Sequence, residues 1–522
     1  MDYIEILDTT LRDGEQGEGI SFTLKDKLEI TNILDSLGLD IIEGGWPGSN
    51  PKSKYYFNDV RKLKLKKSQI AAFCSTHHPK FNAKKDPNLN QTLAANPDIF
   101  VIFGKTWDKH VRTALGIDLE KNLQLIQDSV DYLRSLNKRV IFDAEHFFDG
   151  YASNPSYSLK CLEAAVQGGA DTLCLCDTNG GSMPHHIAQT VTAVIQKQSC
   201  KIGIHTHNDC GLATANTLSA IESGARHIQG TLNGYGERCG NANLSTIIPI
   251  LKLKPLQKAC SIKLKCNLNK LRTSSLKLDE YANTKPNHAA PFVGKSAFAH
   301  KGGIHVSAIL KDASLYEHIK PELIGNKQRV IVSEQSGASN ILDAAKSINL
   351  DLKKDDSRLP EFLNLLKAQE ALGYHYEYAD GSLELLLLKH FKNFKPKLIM
   401  ERFRVLNEIR AKSETIIEAI IKIKLNQKSY HVVAEGNGPV SAIDIALRSI
   451  LMTQYPQIQT THLVDYKVRV LSNKQHSKEK VRVLISFSNS EEHWNSIGVS
   501  TNIIIASFEA LLDSYEYFLR KE

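Results

Sequence analysis

Eight short runs of apolar and β-branched residues punctuate roughly the first 240 positions, at residues 4–10, 41–46, 70–76, 99–105, 140–146, 172–179, 202–208 and 227–233. Between them the apolar positions switch to helical spacing. One such stretch is Leu24, Leu28, Ile30, Ile33, Leu34 and Leu37, closed by Gly38; another is Leu119, Leu123, Leu125, Ile126, Val130 and Leu133. Short strands alternating with helices of this length predict parallel βαβ units. Eight of them in so short a span predict a closed (β/α)8 TIM barrel rather than an open sheet.

Beyond the eighth run the pattern loosens into a lysine-rich stretch, residues 252–285, read as the exit from the barrel. Helical spacing returns at Leu359, Phe362, Leu363, Leu366 and Leu372. The last 110 or so residues carry a weak internal repeat at an offset of about 64. Tyr430 falls on Trp494, and Ala442, Ala446 and Leu447 fall on Ala506, Ala510 and Leu511. Each repeat reads as β-strands followed by one helix, a duplication suited to a small ligand, to dimer contacts, or to structure alone. The expected class is therefore α/β. A TIM barrel occupies 1–270, mostly helical linker subdomains 271–411, and a duplicated α+β domain 412–522.

Composition leaves this picture standing. With 522 residues, 42% hydrophobic and 23% charged, the chain has the make-up of an ordinary globular protein. Lys and Arg exceed Asp and Glu by 65 to 57, a net +8 in scattered short runs. That suits a solvated surface or a polyanionic cofactor, and no nucleic-acid partner is expected. The tightest apolar cluster, Leu385 to Leu388, lies between Glu384 and Lys389, so no membrane span is expected. The first residues run straight into a strand without a basic region or small-residue cleavage site, and the nine cysteines show no zinc-site spacing. Both features point to the cytoplasm.

Barrel enzymes assemble their chemistry at the C-terminal ends of the strands. There the chain places Arg12 and Asp13, Glu43, Thr76 and His77, Lys105, Glu145 and His146, Asp177 and Thr178, His205 and His207, and Asn233 with Glu237. The period of two in a strand puts His205 and His207 on one face. Two imidazoles facing Asp13 make an N2O donor set for one divalent cation, with the amide oxygen of Asn241 as a further donor. Mg2+, Mn2+ and Zn2+ all suit such mixed ligands.

Asp8-Thr-Thr-Leu-Arg-Asp13-Gly-Glu-Gln16 and His205-Thr-His-Asn-Asp-Cys-Gly-Leu-Ala213 resemble the two signatures of the 2-isopropylmalate, homocitrate and citramalate synthases. Gly45-Trp-Pro-Gly-Ser-Asn-Pro-Lys52, Phe142-Asp-Ala-Glu-His-Phe-Phe-Asp-Gly150, Gly234-Tyr-Gly-Glu-Arg-Cys-Gly-Asn-Ala-Asn-Leu244 and Ser296-Ala-Phe-Ala-His-Lys-Gly-Gly-Ile-His305 are similar to the citramalate synthase branch. The likeness runs on through Trp494 to Asn502 and so covers essentially the whole chain.

The resemblance implies a metal-dependent acyltransferase that joins acetyl-CoA to pyruvate in a Claisen-type condensation, giving citramalate and CoA on a route to isoleucine. A sister reaction on 2-oxoisovalerate or 2-oxoglutarate, as in 2-isopropylmalate and homocitrate synthases, is the alternative. In this frame Arg12 stabilises the oxyanion on the keto oxygen, or else pairs structurally with a carboxylate. Thr178 matches the position that binds the substrate carboxylate, and Glu145 the acid near the reacting carbons, with a barrel salt bridge as its other reading. His305 is the candidate base, unless it is a plain linker histidine. It and Tyr316 are implied to reach the partner's barrel in a homodimer. Glu237 is expected to support Asn241 or a metal ligand, and the duplicated domain to bind isoleucine as an effector. Two segments depart from the family pattern: Ser75-Thr-His-His78, where an arginine pair is usual, and residues 472–477, which lack the common glycine-threonine turn.

Overall fold

A computed structural model describes residues 2–254, 262–409, 415–471, 479–489 and 492–521. Eight parallel strands close into a barrel: β1 (Glu5–Asp8), β2 (Ile41–Glu43), β3 (Gln69–Ser75), β4 (Ile99–Lys105), β5 (Arg139–Glu145), β6 (Thr172–Asp177), β7 (Lys201–Thr206) and β8 (His227–Gly230). Each pairs with its successor, and β8 closes on β1 through Glu5 opposite His227 and Asp8 opposite Gly230. Every predicted run overlaps one of these strands. All but 99–105 overshoot at their C-terminal ends, where the chain leaves the ladder to build loops. At 41–46, for example, the strand stops at Glu43 because Gly45 takes φ 142° and turns tightly over Ser53.

The bottom of the barrel is pinned by carboxylates. Asp40, Asp98 and Asp171 accept backbone N–H bonds from Ile6, Ile70 and Val140 at 2.8–3.0 Å, so three strands start at fixed heights. Inside, Glu5 accepts from Arg139 and from His227, a satisfied polar floor. Above it Leu7, Ile41, Ala71, Ile99, Val101, Ile141 and Cys174 fill the interior. A filled interior leaves room for chemistry only at the mouth. Outside, residues such as Phe100, Phe142 and Leu173 face the helical ring. The helix Leu24–Leu37 shows how the ring is delimited: Thr23 and Asp26 form a capping box, and Gly38 at φ 90° ends the helix in the left-handed region.

The chain divides into two compact units. The first holds the barrel, residues up to Phe298, and Ile319–Lys327. Its helix Leu271–Tyr281 packs beside Leu24–Leu37, so residues 271–298, assigned to the linker by the sequence pattern, lie with the barrel. The second unit holds Ala299–His318 and Gln328–Glu522. It contains helices Gly303–Ile309, Ala338–Ser347, Leu359–Leu372 and Asp380–Phe391, then two three-stranded antiparallel sheets.

The first sheet is β9 (Leu398–Ile409), β10 (Thr415–Leu425) and β11 (Lys428–Glu435), followed by helix Pro439–Leu451; the second is β12 (His462–Leu471), β13 (Lys480–Ser488) and β14 (His493–Ser500), followed by Ile503–Leu519. The repeat seen in the sequence is this duplication. Tyr430 stands opposite Ile423 and Trp494 opposite Phe487, equivalent places in the two sheets. In β10, Ala419, Ile421, Ile423 and Leu425 point to the core, the period of two expected of a sheet with one buried face. The boundary drawn at 411/412 and the turn at 472–477 lie outside the described residues. Among the described residues no helix is long and apolar enough to cross a membrane.

Candidate metal centre

After β1 the chain turns on Asp8. Its carboxylate accepts from Thr10 N (2.9 Å), Thr10 Oγ1 (3.0 Å) and, across the closure, Leu232 N (3.1 Å). This ties the exits of β1 and β8 together and carries Arg12 and Asp13 over the mouth. The end of β7 supplies the imidazoles. His205 Nε2 and His207 Nε2 lie 3.2 Å apart and 3.4 and 3.9 Å from Asp13 Oδ2. All three side chains are buried.

This geometry fits a bound cation, because several donors are left without partners. Asp13 Oδ1, His207 Nδ1 and Asn241 Oδ1 are buried with no hydrogen-bond partner, and such groups are rare unless an ion or water completes them. His205 donates Nδ1–H to Gln229 Oε1 (2.9 Å), and Gln229 Nε2 donates to Asp143 Oδ1 (2.8 Å). That chain fixes the tautomer that presents the Nε2 lone pair to the centre. Burial lowers His207 to about 3 and so keeps it neutral. Burial acting alone would raise Asp13, but the neighbouring charge of Arg12 leads the effects that hold it well below the usual carboxylate range.

Asn241 arrives through a loop built on glycine. Gly234, Gly236 and Gly240 all have positive φ, and a Cβ at Gly236 would sit 2.1 Å from Asn241 Nδ2. Asn241 Nδ2 donates to Tyr235 O (3.1 Å), leaving its amide oxygen as the free end. A second cluster, Asp143, Cys174 and Cys176, lies near Gln229. There burial pushes the Cys174 thiol well above its usual range; at Cys176 a hydrogen bond with Cys174 pulls the thiol down, and burial together with the charges of Asp143 and Glu145 outweighs it and carries Cys176 to about 11. These thiols stay protonated, which makes the cluster a poor cation site.

Around the donors lies a cavity of about 210 Å3. Arg12 spans its wall: Nε donates to the fully buried Glu43 (2.7 Å), Nη1 lies 3.3 Å from Asp13, and the guanidinium carbon stacks 3.8 Å above the Phe73 ring. Glu145 faces Lys105 at 2.5 Å. Thr178 Oγ1 accepts from His146 N (2.9 Å), which leaves its own hydroxyl hydrogen to donate elsewhere. Phe73 and Phe103 stack at 5.0 Å, with Trp46 edge-on to both, and make the apolar side.

Arg12, Asp13, Glu145, Thr178, His205 and His207 thus meet in one cavity. Glu237 sits on the rim, its carboxylate exposed and 3.3 Å from Arg238. His305 and Tyr316 belong to the second unit, where their rings stack at 4.3 Å.

Two residues at or behind the cavity were not singled out from the sequence. Arg238 donates to Thr178 O (2.7 Å) and Asp209 (2.7 Å) from a left-handed backbone, φ 57°. Gln229 stands directly opposite His205 in the β7–β8 register, which a single sequence does not reveal. Replacing it in Gln229→Leu frees His205 to take the wrong tautomer. The expected outcome is a fall of roughly 10–100-fold in divalent-ion affinity, read by Mn2+ titration of the folded protein; an unaltered affinity removes Gln229 from the site.

The chain is similar to known proteins along its whole length. Residues 3–276 match the HMGL-like family, 292–370 the homocitrate synthase post-HMGL domain-like family, and 377–519 the LeuA allosteric (dimerisation) domain. The whole chain is 48% identical to the (R)-citramalate synthase of Geobacter sulfurreducens, covering 98% of it. It is 46% identical to the one from Synechocystis, with 99% of this chain and 96% of that protein aligned. Identity to the 2-isopropylmalate synthase of Heliobacterium modesticaldum is 30%, over 98% and 96% of the two chains. The barrel and its donor set therefore define a metal-dependent condensing enzyme of the acyltransferase kind. Within that class, the chain belongs to the (R)-citramalate synthase family.

Proposed function

We propose that this chain condenses acetyl-CoA with pyruvate and water to give (R)-citramalate and free CoA, an entry to isoleucine biosynthesis in the cytoplasm. The observation that carries the reading is the convergence of Asp13, His205 and His207 beside Arg12, Glu145 and Thr178 in one small cavity. Together with Asn241 these donors would hold Mg2+, Mn2+ or Zn2+. When bound, the cation supplies Lewis acidity at the keto group.

The protein's own groups do the rest. The Thr178 hydroxyl donates to the pyruvate carboxylate, and Arg12 donates to the keto oxygen as negative charge grows there. Glu145, charge-balanced by Lys105, orients the acetyl group and the water that later opens the thioester. His305 of the second protomer removes a methyl proton, aided by Tyr316, and the methyl carbon attacks the keto carbon. In support, Ile304 is 82% exposed, Leu315 60% and Tyr316 46%, an apolar display suited to burial in a second copy.

On this reading residues 1–270 are catalytic, 271–411 complete the partner's site, and 412–522 pair and regulate. The outer sheet faces carry exposed Leu406, Val433, Val464 and Val470, as dimerising sheets do.

The stacked rings of Phe73 and Phe103 form the apolar wall against which the methyl group of pyruvate is expected to lie. Each added methylene is worth about 1–3 kcal/mol. A thiol-release assay across pyruvate, 2-oxoisovalerate and 2-oxoglutarate is expected to favour pyruvate; preference for 2-oxoisovalerate reassigns the chain as a 2-isopropylmalate synthase. Regulation is checked in the same assay. Isoleucine is expected to inhibit and leucine to have little effect, and an enzyme indifferent to isoleucine loses the effector assignment.

A further inference from the structure

Two bonds fix Thr178 at the wall of the metal cavity. Arg238 donates to its carbonyl oxygen (2.7 Å), and His146 N donates to its hydroxyl oxygen (2.9 Å). The second bond bears on the chemistry, because a hydroxyl that accepts from a fixed N–H turns its own hydrogen away from that donor. Where the His146 N–H points therefore sets where Thr178 donates.

That N–H points toward β6 from an uncommon backbone. The β5–β6 ladder ends at Ala144 opposite Leu175. One residue later the carbonyl of Glu145 is pinned by Thr106, through its N–H (3.2 Å) and its hydroxyl (2.7 Å). His146 then takes φ 57° and ψ 34°, and its own carbonyl accepts from Gly150 N (2.9 Å) at the start of helix Phe147–Ser153. The chain reverses in this single residue. A residue other than glycine seldom adopts the left-handed region unless its surroundings impose it, and such residues gather where a group has to be aimed.

Here the surroundings are specific. The His146 ring is buried, and its Nδ1–H donates to Asp149 Oδ2 at 3.2 Å. The same oxygen accepts from Asn179 Nδ2 at 3.0 Å, so one carboxylate joins His146 to the residue after Thr178. The His110 ring lies 4.2 Å from that of His146, and Trp107 stacks on His110 at 5.1 Å. His146 and Asp149 are not among the residues that line the metal cavity.

We propose that His146 is a positioning residue for the condensation: Asp149 and the Trp107–His110 stack hold its left-handed backbone, and its N–H turns the Thr178 hydroxyl hydrogen toward the carboxylate of the 2-oxo acid. The inference rests on Thr178 binding that carboxylate. It gives the imidazole no contact with substrate; the ring anchors the backbone.

The experiment separates backbone from ring. His146→Val puts a β-branched residue where φ must be positive, and is expected to raise KM for pyruvate about 10-fold, while kcat and KM for acetyl-CoA change much less. His146→Asn lacks the imidazole but tolerates the left-handed region, and is expected to recover most of the loss. A general loss of packing would move both KM values and would not be repaired by Asn. Asp149→Ala, which frees the ring, acts in the same direction more weakly and covers the case in which His146→Val does not fold.

Thr178→Val completes the test. In that background His146→Val should add nothing further to KM for pyruvate. An unchanged KM in folded His146→Val, or in Asp149→Ala where that variant does not fold, overturns the assignment. So does a failure of His146→Asn to recover, or a full additional effect on top of Thr178→Val. Thr178→Val with the parent's KM refutes the role given to Thr178, and this inference with it. A parent that releases no thiol with any 2-oxo acid refutes the proposed reaction on which both rest.

Discussion

His207→Ala abolishes both divalent-ion binding and turnover while the barrel stays folded. The imidazole is one of only two nitrogen donors, and its Nε2 lies 3.2 Å from that of His205. Losing a group that merely orients a ligand weakens binding by roughly 10–100-fold, so losing the ligand itself does more. The side chain sits at the mouth rather than in the packed interior, and circular dichroism should match the parent. Mn2+ titration gives the direct reading. A strong chelator should silence the parent enzyme in the same way, with activity restored by added divalent ion. A variant that still binds Mn2+ as tightly as the parent would strike His207 from the donor set.

Arg12→Gln is expected to lower kcat by about 10²–10³-fold, the usual loss when one donor to a developing oxyanion goes, with a smaller change in KM for pyruvate. The substitution has a second effect. Glu43 is fully buried and receives Arg12 Nε at 2.7 Å. Breaking such a pair from one side costs about 3–5 kcal/mol, and the melting temperature should fall with the rate. Arg12→Lys separates the two effects. It keeps a positive charge near Glu43 but loses the planar fork that reaches Glu43 and the cavity at once. Stability close to the parent with kcat still depressed is the expected pair of results. If Arg12→Lys turns over like the parent, Arg12 serves the fold rather than the reaction.

The barrel was legible because its signal is local. Alternation of apolar strands with helices at 3.6-residue spacing repeats eight times, and each repeat reports itself without its neighbours. The duplication near the C-terminus was legible for a related reason: equivalent residues such as Tyr430 and Trp494 occupy equivalent strand positions, so the repeat survives in the letters. The candidate metal donors were legible through chemistry. Two histidines at a spacing of two must share a face of a strand, and Asp13 follows the first strand as they end the seventh.

Other features were not legible, because they depend on which strands touch and at what height. Gln229 orients His205 only because the register sets them side by side, and a one-residue slip would send it out of the barrel. Arg238 reaches Thr178 through a left-handed turn that sequence alone does not announce. Helix Leu271–Tyr281 reads as linker from its polar spacing, yet buries Leu271 and Leu278 with the barrel.

By itself, then, the amino-acid order determined the eightfold strand–helix rhythm and the duplicated tail, and it pointed to Asp13, His205 and His207 as candidate cation donors, all through spacing along the chain. Only the folded chain decided which side chains support those donors and how small the reacting cavity is. Those depend on closure of β8 onto β1, which brings segments more than 200 residues apart within hydrogen-bonding distance.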